Sequence, residues 1–315
     1  MPASAIHPSA RFRTDAPQAG RGGSPGPFGG LNDHAALRAA CDDGAGLCTI
    51  IGIDGSFSRR LGAQLAISAR GEIVGSLSDG CLEQELVTCM DRVRLDGRPV
   101  VQRYGSGSDI IDFRLPCGSG LDILLDPAPR RDDLREAVAL LDGRQPAVLR
   151  LPVQQPGLLD RRHYIPAPRL LVFGHGPEVV ALGRLAGAAG VACSSFCKDD
   201  PASGLSLGRP PADVEADAWT AIVLLFHDHE WELPILEWAV STSAFYIGAQ
   251  GGANAREARR AGLEAAGLPP RQIERIRSPI GLIPKARDPQ VLGLSVLADI
   301  IAHYENLHDR AADAG

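Results

Sequence analysis

The stretch RLLVFGHGPEVVALGRLAGAAG, residues 169–190, decides the fold of the second half of the chain. An apolar run leads to two glycines, Gly174 and Gly176, and a segment of helical periodicity follows them. In an open α/β sheet, this order of strand, glycine turn and helix places backbone N–H groups and the helix dipole where they bind phosphate. The stretch therefore predicts a Rossmann-like domain, with a nucleotide as the candidate ligand of Gly174 and Gly176.

The dinucleotide fingerprint is incomplete in this stretch. Val179 occupies the third glycine position of GxGxxG. Cys197 stands near the place of the acidic ribose partner, and the nearest carboxylates are Asp199 and Asp200. A glycine turn that only lets a helix pack on a strand is therefore the alternative. An NAD(P)-dependent oxidoreductase that uses this turn and His227 is one functional hypothesis from these residues.

The rest of the pattern predicts two α/β domains. Uncharged, β-rich runs alternate with helical segments over residues 169–307, which favours a doubly wound parallel sheet covered on both faces. Shorter strands and an amphipathic helix at 80–95 predict a mixed α/β domain over residues 32–153. A proline-rich segment at 154–168 is the expected linker. We expect tails at 1–31, rich in Pro, Gly and Ser and disordered, and at 308–315.

Composition excludes several classes of protein. The formal net charge is −6 and no basic stripe carries interleaved aromatics, so we expect no nucleic acid partner. No run approaches the ~18 to 20 apolar residues of a membrane span, so we expect no membrane partner. The seven cysteines include no CxxC pair, which fits neither a disulfide framework nor a Cys-rich zinc site. A cytoplasmic protein with reduced thiols is the resulting expectation.

The segment SDGCLEQEL, residues 78–86, contains a cysteine at a predicted helix start. In the first turn, the helix dipole and free N–H groups favour a thiolate, so Cys81 is a candidate soft metal ligand or nucleophile. A free cysteine is more often a small buried hydrophobe, and the charges of Asp79 and Glu83 oppose a thiolate. Spacing alone favours the second interpretation.

Three other segments contain candidate ligand groups. In the loop within residues 104–127, Gly105, Cys117 and Gly118 suggest a concave site, and two wide hairpin turns with an inert thiol are the alternative. In GIDGSFSRRLGAQL, residues 52–65, Arg59 suits phosphate or an oxidised pterin edge, although arginines on turns are usually solvated. FHDHEWE, residues 226–232, offers histidines for a metal, and a polar loop explains most of its residues equally well.

Seven motifs, taken in their order along the chain, together resemble the xanthine dehydrogenase accessory factor family, the XdhC and CoxI proteins. These motifs are GIDGSFSRRLGAQLAI, GSLSDGCLEQEL, RYGSGSDIIDFRLPCGSGLDILLDP, LLVFGHGPEVVALGRLA, AIVLLFHDHEWELPIL, FYIGAQG and SPIGLIPKARDPQVLGLSVLADII. The resemblance runs from about residue 37 to 304. It implies an XdhC/CoxI-type domain followed by a Rossmann-like domain. The implied function is binding of molybdenum cofactor, support of its sulfuration, and insertion into a xanthine dehydrogenase-type molybdoenzyme, with a cysteine desulfurase as sulfur donor.

The resemblance also implies a set of site residues. Cys81 matches the family's cysteine motif, and we expect it to hold the cofactor through molybdenum. The full expected set comprises Cys81, Gly80, Arg59, Gly55, Gly62, Gln64, Gly105, Cys117 and Gly118, with Gly174 and Gly176 for a nucleotide. The family function is that of a chaperone and not of an enzyme. A docking scaffold for desulfurase and target enzyme is a third hypothesis, and a homodimer is expected without a motif that marks its interface.

Overall fold

The computed structural model describes residues 34–78, 80–108, 118–198, 204–209 and 212–313. Two five-stranded sheets form the centres of two domains, and a two-stranded hairpin lies between them in the chain. The predicted tail at 1–31 lies outside the described residues. The fold class, a mixed α/β domain followed by a Rossmann-like domain, is confirmed.

The first sheet is antiparallel throughout. Its strands are β1 (Gly46–Asp54), β2 (Gln64–Ile67), β3 (Ile73–Gly75), β4 (Val100–Gly105) and β5 (Gly120–Asp126). In space they follow the order β3-β2-β1-β5-β4. The accompanying helices are α1 (Ala35–Ala39), α2 (Cys81–Asp96) and α3 (Arg131–Asp142).

Helices cover both faces of this sheet. Leu82, Leu86 and Met90 recur every four residues, so they lie on one side of α2 and bury themselves against the sheet. On the opposite face, α1 and α3 pack through residues that include Leu37 and Leu134. Because both faces are covered, the first six residues of β1 are buried without alternation. The helix expected at 80–95 is therefore present, one residue shorter at its start and one longer at its end.

A hairpin occupies part of the segment predicted as a linker. Its strands are β6 (Ala147–Arg150) and β7 (Arg161–Tyr164), which pair antiparallel. Arg162 Nε donates a hydrogen bond of 2.7 Å to the carbonyl oxygen of Gly62, and the Tyr164 hydroxyl donates one of 2.6 Å to Gln64 Oε1. The C-terminal part of the predicted linker 154–168 is thus a strand that packs on the first domain.

The second sheet is parallel throughout. Its strands are β8 (Arg169–Gly174), β9 (Ala192–Phe196), β10 (Thr220–Leu225), β11 (Tyr246–Ala249) and β12 (Ile276–Arg277), in the spatial order β12-β11-β10-β8-β9. One face packs against α4 (Pro177–Ala188) and α8 (Pro289–Asp313). The other packs against α5 (Glu232–Ser241), α6 (Ala253–Ala265) and α7 (Pro270–Ile273). The chain order reverses between β8 and β10, and ligands bind at such a reversal in open α/β sheets.

Polar contacts hold the two domains together. Arg144 Nε lies 2.7 Å from Asp217 Oδ2, and its Nη2 lies 3.0 Å from Asp217 Oδ1, so the pair is bidentate. Arg60 Nη2 lies 2.9 Å from Glu305 Oε2 on α8. Burial raises the pKa of the Asp217 carboxyl, but hydrogen bonds from Arg144, Thr220 and a backbone N–H outweigh it and lower the pKa to about 2.

Candidate functional site

The loop that leads into α2 presents a thiol at the protein surface. Cys81 is the first residue of α2, and it is exposed. Gly80 precedes it with a φ of 104°, which L side chains rarely adopt, and a Cβ there would meet no atom within 4 Å. Glycine is therefore favoured here by the backbone conformation that leads into the helix, and not by a lack of space for a side chain.

Glu83 fixes the conformation of this loop. Its Oε1 accepts hydrogen bonds of 2.9 Å from the Leu77 N–H and 2.6 Å from the Ser78 N–H, and its Oε2 accepts one of 2.8 Å from the Gly80 N–H. Burial raises the pKa of the Glu83 carboxyl, but these backbone donors outweigh it and the net pKa is lowered. The carboxylate is therefore occupied by the backbone that precedes Cys81.

Arg59 reaches the same loop from the turn after β1. Its Nη2 lies 3.1 Å from Ser76 Oγ, and Ser76 Oγ lies 3.3 Å from Glu83 Oε1. Arg59 is exposed. The structure thus brings together two of the residues singled out in the sequence, Arg59 and Cys81, through the residues Ser76 and Glu83.

The topology of the first sheet gathers the glycine loops at one end. The registers of β1, β2 and β3 place the end of β1, the start of β2 and the end of β3 on the same side. The end of β4 and the start of β5 lie on this side too, because Gly120 is opposite both Asp54 on β1 and Gly105 on β4. The loops that contain Gly55, Arg59, Gly80 and Gly118 all begin or finish at this end. We call it the loop end of the first sheet.

Gly55 and Gly118 at the loop end, like Gly80, adopt conformations that favour glycine. Gly55 has a φ of 84°, and a Cβ there would lie 3.3 Å from Ser119 Oγ, which donates a hydrogen bond of 2.5 Å to the Ser56 carbonyl oxygen. Gly118 has a φ of 69° and open space where a Cβ would be. Backbone is therefore exposed to an approaching ligand at Gly118, whereas Gly55 is needed for close packing of two loops.

Arg103 organises the loop end beneath the glycines. It pairs with Asp54 at the end of β1, and its Nη1 lies 2.7 Å from Asp122 Oδ2 on β5. Its Nε donates a hydrogen bond of 3.0 Å to the Ser106 carbonyl oxygen. Sequence reasoning missed Arg103, Ser76 and the role of Glu83. The spacing of three residues between Gly80 and Glu83, which is that of a capping box, is the signal that identifies Glu83.

Two predicted site residues lie in packing contacts away from the surface. The Gln64 side chain is buried, with its Nε2 3.0 Å from Thr49 Oγ1 and its Oε1 2.6 Å from the Tyr164 hydroxyl. A Cβ at Gly62 would lie 2.6 Å from Arg162 Cδ. Gly62 and Gln64 therefore support the contact between β7 and the first sheet, and a contact of either residue with a ligand stays a prediction.

The cysteines in the described part of the chain differ in exposure. Cys81 is the exposed one, Cys48 is buried, and the others are partly buried. Burial raises the pKa of the Cys41, Cys89 and Cys193 thiols. Those three thiols are therefore less available as thiolates. Cys117 and Asp79 lie outside the described residues.

The second domain places its glycine turn at the carboxyl end of β8. Gly174 is the last residue of β8 and Gly176 precedes α4, as the sequence predicted. The His175 ring lies 5.8 Å from the His227 ring, centroid to centroid, and His227 Nε2 lies 3.7 Å from Glu178 Oε1. Within the ranges that the structure describes, no group of three or more His, Cys, Asp or Glu side chains is placed to hold a metal ion. Asp199 and Asp200 lie outside those ranges.

Fold and site together define a class of two-domain protein, in which an antiparallel domain with a surface thiol at its glycine loops precedes a Rossmann domain. The family model described as "XdhC and CoxI family" matches residues 39–105, and the model described as "XdhC Rossmann domain" matches residues 170–300. The chain belongs to the XdhC and CoxI family, which confirms the resemblance found in the sequence.

Named relatives span most of the chain. The molybdenum cofactor insertion chaperone PaoD of Escherichia coli (strain K12) is 32% identical over 271 residues, which is 82% of this chain and 82% of that protein. A probable xanthine dehydrogenase subunit of Bacillus subtilis (strain 168) is 25% identical over 327 residues, covering 86% of this chain and 97% of that protein. A crystal structure of a xanthine dehydrogenase from Bacillus halodurans has the same fold, with a TM-score of 0.65 at 21% identity, covering 86% of this chain and 95% of that one.

Membrane insertion has no support from the helices. In the described part of the chain, none of them is both long enough and apolar enough to span a bilayer.

Proposed function

We propose that this protein binds molybdenum cofactor and delivers it to a molybdoenzyme of the xanthine dehydrogenase family. The relative PaoD is named as a molybdenum cofactor insertion chaperone, and 82% of this chain aligns with it at 32% identity. The proposed role is that of a carrier with stoichiometric binding and no steady turnover. We place this role in the cytoplasm, where thiols remain reduced.

The exposed thiol of Cys81 at the loop end is the observation that carries this proposal. A thiolate is a soft ligand, which suits molybdenum that is already bound by the sulfurs of a dithiolene. Glu83 holds the loop through three backbone N–H groups, so the thiol stays at the surface instead of turning into the core.

Groups beside Cys81 suit the organic part of the cofactor. Arg59 is exposed and donates one hydrogen bond, to Ser76 Oγ. Its other N–H groups are therefore available to pair with the cofactor's phosphate or the pterin edge. Backbone at Gly80 and Gly118 is open to a ligand, since a Cβ at either glycine would meet no atom within 4 Å. Gly55 and Gly105 shape the loop end around them, and Cys117 stays in the proposed set through the family resemblance.

The same proposal includes sulfuration and partners. We propose that the protein supports sulfuration of the bound cofactor, with a cysteine desulfurase as the partner that provides the sulfur. The loaded protein then docks on its client molybdoenzyme. We propose that the protein is a homodimer during these steps.

Anaerobic purification from a host that makes the cofactor tests the carrier role. Molybdenum and oxidised pterin are quantified on the wild type, on Cys81→Ser and on a matched control, Cys41→Ser, whose partly buried thiol lies beyond α1. Loss of one metal or charge-assisted contact costs about 1.5–3 kcal/mol, so Cys81→Ser should weaken cofactor binding by about tenfold or more. The control should bind as the wild type does.

Two outcomes contradict the proposal. Equal stoichiometry and affinity in wild type and Cys81→Ser would remove Cys81 from the site. A wild-type protein that carries no cofactor, but that retains the desulfurase and the client enzyme in a pull-down, would support the docking scaffold instead.

A further inference from the structure

A cavity of about 330 Å³ lies at the end of the first sheet that is opposite the loop end. At the cavity, Leu47 on β1 is opposite Asp126 on β5, whereas at the loop end Asp54 is opposite Gly120. The part of β1 between Leu47 and Asp54 spans roughly 23 Å at the usual rise of a strand. The cavity is therefore separate from the proposed cofactor site.

Leucines form the inner wall of this cavity. Alternation along β5 puts Leu124 and Asp126 on the same face of the sheet, the face that α1 and α3 cover. The buried leucines that line the cavity are Leu47, Leu124, Leu134, Leu149 and Leu151. Such a wall suits a hydrocarbon group. The volume lies near the lower end of the range of about 300–1,000 Å³ found for small-molecule sites, which favours a small ligand.

One carboxylate lies among these leucines. Asp126 lines the cavity and is half-buried, so a ligand in the cavity can reach it. Its Oδ1 accepts a hydrogen bond of 3.1 Å from the Ala128 N–H. The guanidinium of Arg131 donates instead to the carbonyl oxygens of Pro129 and Ala45, at 3.2 and 2.6 Å. Burial raises the pKa of the Asp126 carboxyl, and the Ala128 N–H and the charge of Arg131 oppose this without cancelling it.

The other charged groups around the cavity are paired or point elsewhere. Arg130 Nε lies 3.4 Å from Asp133 Oδ2, so these two side chains pair at the start of α3. Alternation along β6 buries Leu149 and exposes Arg150, so their side chains lie on opposite faces of the hairpin. Asp126 is therefore the charged group that faces the leucines, and no residue lining the cavity forms an ion pair with it.

We propose that this cavity binds a small amine, whose ammonium group pairs with Asp126 and whose hydrocarbon body lies against the leucines. An ionised carboxylate only accepts hydrogen bonds and an ammonium group only donates them, so the two match in charge and in hydrogen bonding. The pairing offsets the cost of keeping the Asp126 carboxylate away from water. This binding activity is separate from the carrier role of Cys81 and does not depend on it.

Isothermal titration of the full-length protein at neutral pH tests this inference. The probes are isoamylamine, isoamyl alcohol and isovalerate, which share a branched hydrocarbon body and differ in charge. They are titrated into the wild type, Asp126→Asn and a control, Asp132→Asn, which changes an exposed carboxylate on α3 outside the cavity. Asparagine keeps an acceptor for the Ala128 N–H and removes the charge.

The wild type should bind isoamylamine about tenfold more tightly than isoamyl alcohol, as expected for one charge-assisted hydrogen bond, and should bind isovalerate most weakly. Asp126→Asn should remove most of the amine's advantage over the alcohol. Asp132→Asn should leave that advantage unchanged.

Amide NMR spectra of the wild type keep the test informative if Asp126→Asn does not fold. The Ala128 N–H, which bonds Asp126, should shift on addition of isoamylamine, and the N–H of Cys81 at the loop end should not. The inference is overturned if the wild type binds no amine, if the alcohol or isovalerate binds as tightly, if Asp126→Asn keeps the amine preference, or if the amine shifts Cys81 and not Ala128. None of these results changes the loading of Cys81 by molybdenum cofactor, which is measured on its own.

Discussion

The glycine turns before α2 and α4 both lead into a helix, and a glutamate follows each at nearly the same distance. Glu83 is the third residue of α2, and Glu178 is the second residue of α4. A carboxylate at the third position reaches back to the N–H groups before the helix, and Glu83 does so. Glu178 stands one position earlier, and its Oε2 is buried without a partner.

This difference separates a carboxylate with its hydrogen bonds made from one with a buried oxygen that has no partner. Glu83 accepts hydrogen bonds from the loop that precedes Cys81, and Cys81 is exposed at that end. Glu178 Oε2 lies beside the Gly176 turn without a partner, and Glu178 Oε1 lies 3.7 Å from His227 Nε2. A glutamate after a glycine turn therefore bonds the preceding backbone when it is the third residue of the helix, and does not when it is the second.

The largest expected effect is on Glu83. Glu83→Ala removes the acceptor of three buried or partly buried N–H groups, and we expect the free energy of unfolding to fall by about 3 kcal/mol. Glu178→Ala, the matched change in the other turn, should cost less than about 0.5 kcal/mol. Urea unfolding followed by circular dichroism measures both. Similar losses of unfolding free energy in the two variants would contradict the view that only the glutamate at the third helical position stabilises its loop.

A smaller effect is expected from acid at the contact between the domains. Asp217 resembles Glu83 in being fully partnered, and its pKa is lowered from 3.8 to about 2. Because the unfolded chain takes up this proton first, stability present above about pH 4 is lost as pH falls through the folded pKa. With partial exposure discounted, the contribution is about 1–2 kcal/mol.

Comparison with Asp217→Asn measures that contribution. The variant should be less stable than the wild type at neutral pH and should approach it near the folded pKa of about 2, as followed by urea unfolding across this range. A constant difference between the two proteins at every pH would contradict the assignment.

The smallest effect should come from Cys81 itself. Cys81→Ser alters an exposed side chain that the core does not use, so we expect the free energy of unfolding to change by less than about 0.5 kcal/mol. Cys48→Ser, which places a hydroxyl among buried side chains, should cost about 1–3 kcal/mol. Thermal melts of both variants measure this contrast. A large loss in Cys81→Ser would assign that thiol to packing.

Local patterns in the sequence are sufficient to predict much of the fold. The glycine turn at Gly174 and Gly176 predicts β8, α4 and the parallel sheet, because strand, turn and helix are contiguous in the chain. The spacing of Leu82, Leu86 and Met90 predicts α2 and places Cys81 in its first turn. These strands, turns and helices depend on residues close together in the chain, so a single sequence is enough to predict them.

Contacts between distant segments cannot be predicted in this way. Gln64 accepts a hydrogen bond from Tyr164, one hundred positions along the chain. Gln64, a candidate ligand-binding residue in the sequence, is buried at this contact. The prolines at 154–168 predict a linker, yet β7 lies within that segment. Arg103 joins Asp54 and Asp122 across three strands, and no local pattern marks that cluster.

Two neighbouring arginines on one turn point to different places. Arg59 contacts Ser76 on the segment that leads to Cys81, and Arg60 contacts Glu305 on α8. A single peptide unit thus separates Arg59, a residue of the proposed cofactor site, from the ion pair with the other domain. We therefore expect a shift of α8 relative to the first sheet to act on this turn through the pair of Arg60 and Glu305, so that movement of the second domain reaches Arg59 across one peptide bond.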